Sequence, residues 1–126
     1  MGSIKLKPDL ENLYQLNDFI HGICPYDMQI DLIVEEIFVN IVSYSGCEYI
    51  IVNADYTDER LTMEFVDNGV EFNPLLKENP SFPGSIEESK IGGLGIYLSK
   101  QLSDVMYYRH VGCENHLTII KSVEDI

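Results

Sequence analysis

The stretch LIVEEIFVNIV, Leu32 to Val42, is apolar almost all the way round, yet it carries Glu36 and, four residues later, Asn40. In a helix, side chains four apart stack on one face within about 6 Å of each other, so both can act on one ligand. A carboxylate in such surroundings is costly without a partner. Two arrangements meet that cost. One is a Glu–Asn hydrogen bond at the rim of the core. The other is chemistry: Asn offers a neutral carbonyl oxygen suited to a hard cation such as Mg2+, which keeps waters and phosphate ligands. The neighbouring carboxylate can then orient or deprotonate a hydroxyl that attacks a phosphate.

VDNGVEFNP, Val66 to Pro74, is the next candidate. Asp-Asn-Gly is a strong turn signal, but a Pro-containing loop follows it and not a strand in register. A carboxylate at a strand end, Asp67, can accept a hydrogen bond from the exocyclic amine of adenine, and Gly69 lets a flat base approach the backbone. The third candidate is KIGGLGIYLSKQLSD, Lys90 to Asp104. It fails the dinucleotide fingerprint, because Leu98 takes the third glycine's place, and it fails the P-loop for want of Gly-Lys-Ser/Thr. What remains is a glycine-rich entry to a helix, where free N–H groups and the positive end of the helix dipole hold phosphates.

These residues need a frame to position them. Ile30, Ile33, Val34, Ile37 and Ile41 form the buried stripe of a helix expected over about Tyr26 to Ser45, opened by Pro25 and closed by Gly46. Asp9 can cap an earlier helix that ends near Gly22, and Leu94, Leu98 and Leu102 mark a third. Strands are expected at residues 3–7, in EYIIVNADY, and in RLTMEFVD with Leu61, Met63 and Phe65 on one face. Two more, VMYYRHV and HLTIIKS, should pair around Gly112. Half-polar strands argue for helices on one face only, so the fold class is α+β, a two-layer sandwich of three helices on four or five strands. The sheet is expected to be mixed and mostly antiparallel. The stretch from Asp67 to Ile91 has no sustained period and reads as a long functional loop.

Bulk properties narrow the chemistry. A chain of 126 residues, 45% hydrophobic and 23% charged, has the size and composition of one globular domain, 1–126. With 21 acidic against 8 basic side chains, the net charge of -13 repels a phosphate backbone, so no nucleic acid is expected as partner. Cys24, Cys47 and Cys113 show no paired spacing and read as buried thiols; His21, His110 and His116 read as structural or surface residues. There is no apolar leader and no long apolar run, which points to a soluble, cytoplasmic protein without a membrane partner.

Taken together and in this order, the three stretches resemble those of the GHKL (Bergerat-fold) ATPase superfamily, and within it the small anti-sigma factor serine/threonine kinases of the RsbW type. The resemblance covers nearly the whole chain. EEIFVN is similar to the family's N-box, which implies Glu36 as catalytic base and Asn40 as Mg2+ ligand. DNGVEFNP is similar to the G1 box, which implies Asp67 as the adenine-binding residue with Gly69 beside the base. GGLGIYLSKQLSD is similar to the G2 box, which implies Gly92, Gly93, Leu94 and Gly95 around the phosphates of ATP. A lid would run from Pro74 to Ile91, and its Lys77 and Lys90 could approach the γ-phosphate. Two departures stand out: Tyr44 where many relatives carry His, and Ser99 at a usually apolar place. The resemblance implies a homodimer that binds a sigma factor or comparable client and phosphorylates a Ser or Thr on a STAS-type antagonist. The alternative it leaves open is a non-catalytic, ATP-gated sequestering module.

Overall fold

The computed structural model describes residues 1–71, 73 and 94–124, the stretch 94–97 by its backbone alone. Strand β1 (Gly2–Leu6) is followed by a single 3-10 turn (Leu10–Asn12), helix α1 (Leu13–His21) and helix α2 (Met28–Tyr44). Strands β2 (Ile50–Thr57) and β3 (Arg60–Asp67) come next, then helix α3 (Leu94–Leu102) and strands β4 (Val105–Val111) and β5 (Glu114–Ser122). The sheet order is β1-β2-β3-β5-β4. All four neighbouring pairs are antiparallel, so the sheet is not mixed. The reason lies in the crossover: β3 and β4 run the same way, but β5 folds back between them and separates them.

Local chemistry accounts for the element ends. Asp9 accepts from the Glu11 N–H and caps the 3-10 turn that leads into α1. Asp27, not Pro25, opens α2: its side chain accepts from the Gln29 and Ile30 N–H groups, satisfying two donors that lack an intrahelical partner. Gly46, at φ +64, turns the chain away after the last turn of α2. Asp58 and Glu59 both adopt the left-handed region, the backbone of a two-residue hairpin turn between β2 and β3. At the far end of α3, the ammonium of Lys121 donates to the Leu102 carbonyl at 2.9 Å, placing a cation on the negative end of the helix.

One core joins the layers. From α2, residues Ile30, Ile33, Val34, Ile37 and Phe38 are buried against Val52, Phe65, Leu117 and Ile119 of the sheet, with Leu16 and Ile20 of α1 beside them. The other sheet face is mixed, with Val66, Ile120, Val105 and Tyr107 among polar and charged side chains. At its centre Glu64 takes a hydrogen bond from Asn53 at 3.0 Å and faces His116 at 3.2 Å and Arg109 at 3.6 Å. Burial pushes this carboxyl up, but the hydrogen bonds of Asn53 and His116 and the nearby positive charges outweigh it and hold Glu64 below the usual range.

Two expectations need correction. Leu98 is 37% exposed while Ser99 is 1% exposed. Residues at i, i+4 and i+8 drift by about 40° per step, so the core-facing line of α3 runs through Ser99 and Leu102 and leaves Leu98 at the margin. The cysteines also differ in environment: Cys24 is buried, Cys47 half-buried and Cys113 exposed at the tip of the β4–β5 hairpin. Cys113 sits there at φ +64 beside Gly112, so hairpin geometry decides its exposure over its apolar character. No described helix is long and apolar enough to cross a membrane.

Candidate functional site

The site is built where α2 ends and β3 ends. In the register of the sheet, Asp67 stands opposite Ile50 on one side and Asn115 on the other. Asp67 is buried, and its Oδ1 accepts three hydrogen bonds: from Ser45 Oγ at 2.9 Å, the Gly69 N–H at 2.9 Å and Asn115 Nδ2 at 3.1 Å. None of these bonds uses Oδ2. One oxygen thus anchors the side chain to the end of α2, the following turn and the next strand, and the other is left to accept from a ligand donor.

Asn115 is oriented by its own partners. The Tyr108 hydroxyl donates to its Oδ1 and the His110 ring lies 3.2 Å from the same atom. Its amide hydrogens are thereby directed to Asp67 and to the Val70 carbonyl at 2.8 Å. Ser45, Tyr108 and Asn115 were not singled out from sequence. For Asn115 a signal existed: in Asn115, Leu117, Ile119 and Lys121 the period of two places the asparagine on the buried face, where a polar group needs a partner.

Packing within the fold also requires a glycine at position 69. A Cβ built there would stand 2.1 Å from Ser45 Oγ, 2.2 Å from the Ser45 carbonyl oxygen and 2.8 Å from its carbon. The Val70 N–H also bonds that carbonyl at 3.0 Å, so the turn is laced to the end of α2. Gly69→Ala should therefore lower stability by about 3 kcal/mol, because backbone must move. Thermal unfolding should show a drop of roughly 10 °C; a melting curve superimposable on wild type would refute the close-approach account.

Glu36 and Asn40 lie on α2, which leads into Ser45; the five-residue separation of Asn40 from Ser45 is about 7.5 Å along the axis. Asn40 is buried and its Nδ2 has no hydrogen-bond partner. The two ends of a carboxamide occupy the same space, so the unsatisfied end can equally present the carbonyl oxygen. Glu36 is half-buried. Burial pushes its carboxyl above the ordinary 4.5, and the like charge of Glu35 adds to the shift. The described residues hold no group of three or more His, Cys, Asp or Glu able to hold a metal. A single Asn oxygen fits a hard cation whose other ligands are water and phosphate, and does not fit a protein-only cage.

Leu94 and Gly95 form the first turn of α3, whose N–H groups lack intrahelical acceptors. Helix α3 packs against α2, the helix that bears Glu36 and Asn40. Gly92 and Gly93, and the expected lid from Pro74 to Ile91 with Lys77 and Lys90, lie outside the described residues.

The described residues form a five-stranded antiparallel sheet with three helices, an arrangement consistent with a GHKL ATPase fold. The chain belongs to the family described as "Histidine kinase-like ATPase domain", whose profile matches residues 10–121. Among solved structures it is similar to the histidine kinase AdeS of Acinetobacter baumannii, at 14% sequence identity and a TM-score of 0.54, over 99% of this chain and 69% of that one. That likeness bears on the fold. No curated protein sequence matches. Family membership carries ATP binding and, in general, kinase or ATPase activity.

Proposed function

We propose that this domain, taken as one unit over 1–126, is an ATP-dependent anti-sigma regulatory factor. It transfers the γ-phosphoryl group of ATP to a Ser or Thr of a STAS-type antagonist and sequesters a sigma factor or comparable client, working as a homodimer. The observation that carries the phosphotransfer reading is on α2: a half-buried Glu36 with a raised pKa, one turn from the buried Asn40, whose Nδ2 has no hydrogen-bond partner. A carboxyl raised in this way suits a general base.

Asp67 would accept from the exocyclic amine of adenine through the oxygen that its internal bonds leave over. The backbone N–H groups from Gly92 to Gly95 would hold the phosphates. Asn40 would hold Mg2+ through its side-chain oxygen, and the bound ion would neutralise charge on the phosphate oxygens. The acceptor hydroxyl oxygen forms the new bond to the γ-phosphorus while the bond to the β–γ bridging oxygen breaks. The electron pair leaves with ADP, and the hydroxyl proton passes to Glu36.

Incubation with γ-labelled Mg-ATP and a STAS-domain protein tests this. The expected product is an acid-stable, alkali-labile phosphoester on Ser or Thr. An acid-labile phosphohistidine would overturn the Ser/Thr assignment. ATP-dependent binding of the same protein without transfer would make the domain an ATP-gated sequestering module.

A further inference from the structure

A groove of about 420 Å³ runs between the start of α1 and α2, on a side that uses neither Asp67 nor Asn40. Its apolar lining is left to solvent: Tyr14 is 78% exposed, Met28 72% and Leu10 53%, with Leu13 and Leu32 along the floor. Single exposed apolar residues are ordinary, but a contiguous set in a groove marks an interaction site. Asn17 also lines it, and the side-chain Oδ1 of Asn17 is shut off from solvent with no hydrogen-bond donor.

Charge identifies the occupant. Asp31 and Glu35 edge the groove. Between Lys7 and Arg60 the chain contains no Lys or Arg, while Pro8 to Tyr44 carries seven Asp and Glu. The imidazole of His21, on Asp31 at 2.7 Å, is the sole counterweight among basic side chains in that segment. So one-sided a field repels a second copy of this chain presenting the same surface, and equally an anionic membrane or nucleic acid. It attracts a cationic partner, and a groove between helices accepts a helix by its apolar face.

We infer that the α1–α2 groove is a docking surface for an amphipathic helix of a partner protein, one whose apolar stripe is flanked by Lys or Arg. The apolar stripe covers Leu10, Tyr14 and Met28, and the basic flank faces Asp31 and Glu35. The surface stands on its own evidence and does not depend on phosphotransfer.

The test uses synthetic peptides of about 18 residues, long enough for five helical turns. One has Leu at helical spacing among Lys, a second the same residues in scrambled order, and a third Glu in place of Lys. Titration into the full chain should show one-to-one binding of the first alone, with NMR shifts at Leu13, Asn17 and Leu32. Tyr14→Ser with Met28→Ser, both exposed positions, should weaken it by about tenfold or more, as expected for anchor residues. Asp55→Asn with Asp58→Asn, on the β2–β3 hairpin, should leave it unchanged. Equal binding of the scrambled peptide, indifference to the groove pair, or no binding would overturn the proposal. So would self-association that the groove pair abolishes, which would make a second copy the occupant.

Discussion

Asp67→Asn should weaken Mg-ATP binding by about 2–4 kcal/mol, on the order of 30- to 1000-fold in Kd, while the fold survives. The substitution keeps the shape of the side chain. Its remaining oxygen can take the place of Oδ1 and accept from Ser45, Gly69 and Asn115, so the three donors that tie the turn to α2 and β5 keep an acceptor. The amide nitrogen then stands where Oδ2 stood. An exocyclic amine arriving there meets a donor, and two buried donors face each other unpaired. Losing the bond and leaving both groups desolvated is what makes the effect on binding large. The cost to the fold should be about 1 kcal/mol, the difference between bonds to a charged and to a neutral acceptor. Titration calorimetry on both proteins, beside their thermal unfolding, reads the two quantities separately. Undiminished affinity in a folded variant would remove Asp67 from the nucleotide site.

Glu36→Gln should slow phosphotransfer by about 10²- to 10⁴-fold, the usual worth of a positioned base, with ATP affinity little changed. Its effect on stability should have the opposite sense. Because burial and Glu35 raise the folded pKa of Glu36 above 4.5, the folded state binds this proton more tightly than the unfolded one. The resulting stabilisation is fully present below the unfolded pKa and is lost as pH rises through the folded value. At neutral pH the ionised carboxyl therefore burdens the fold, and glutamine should melt at the same temperature or higher. Inactivity without destabilisation is the signature of a residue kept for chemistry. The rate in wild type should climb with pH through the raised pKa of Glu36, and the glutamine variant should lose that limb. Single-turnover transfer across pH measures this; a variant with wild-type rates would leave Glu36 as a core polar group.

Much of the frame was readable residue by residue. RLTMEFVD and VMYYRHV form β3 and β4 over the expected residues, because alternation reports directly on a pleated, half-buried strand. The stripe from Ile30 to Ile41 is buried as the helical period requires. Pro25 was a weaker guide, since it lies before α2 and Asp27 caps the helix, whereas Gly22 and Gly46 end α1 and α2 as expected. Ser99 looked like an interruption and proved to face inward, since a stripe of three leucines does not fix the rotation of a helix to within one residue.

The sequence by itself determined the elements, the spacing of Glu36 and Asn40, the family resemblance and the one-sided charge of residues 8–44, all consequences of short-range geometry and composition. Only the tertiary structure decided what surrounds Asp67. Ser45 is 22 residues away in the chain and Asn115 is 48; Ser45 reaches the carboxyl oxygen from the end of α2, and Asn115 reaches it because β5 inserts between β3 and β4 in a single register. Register depends on the pairing of the whole sheet, and a one-residue slip would turn Asn115 to the opposite face and leave Asp67 without it.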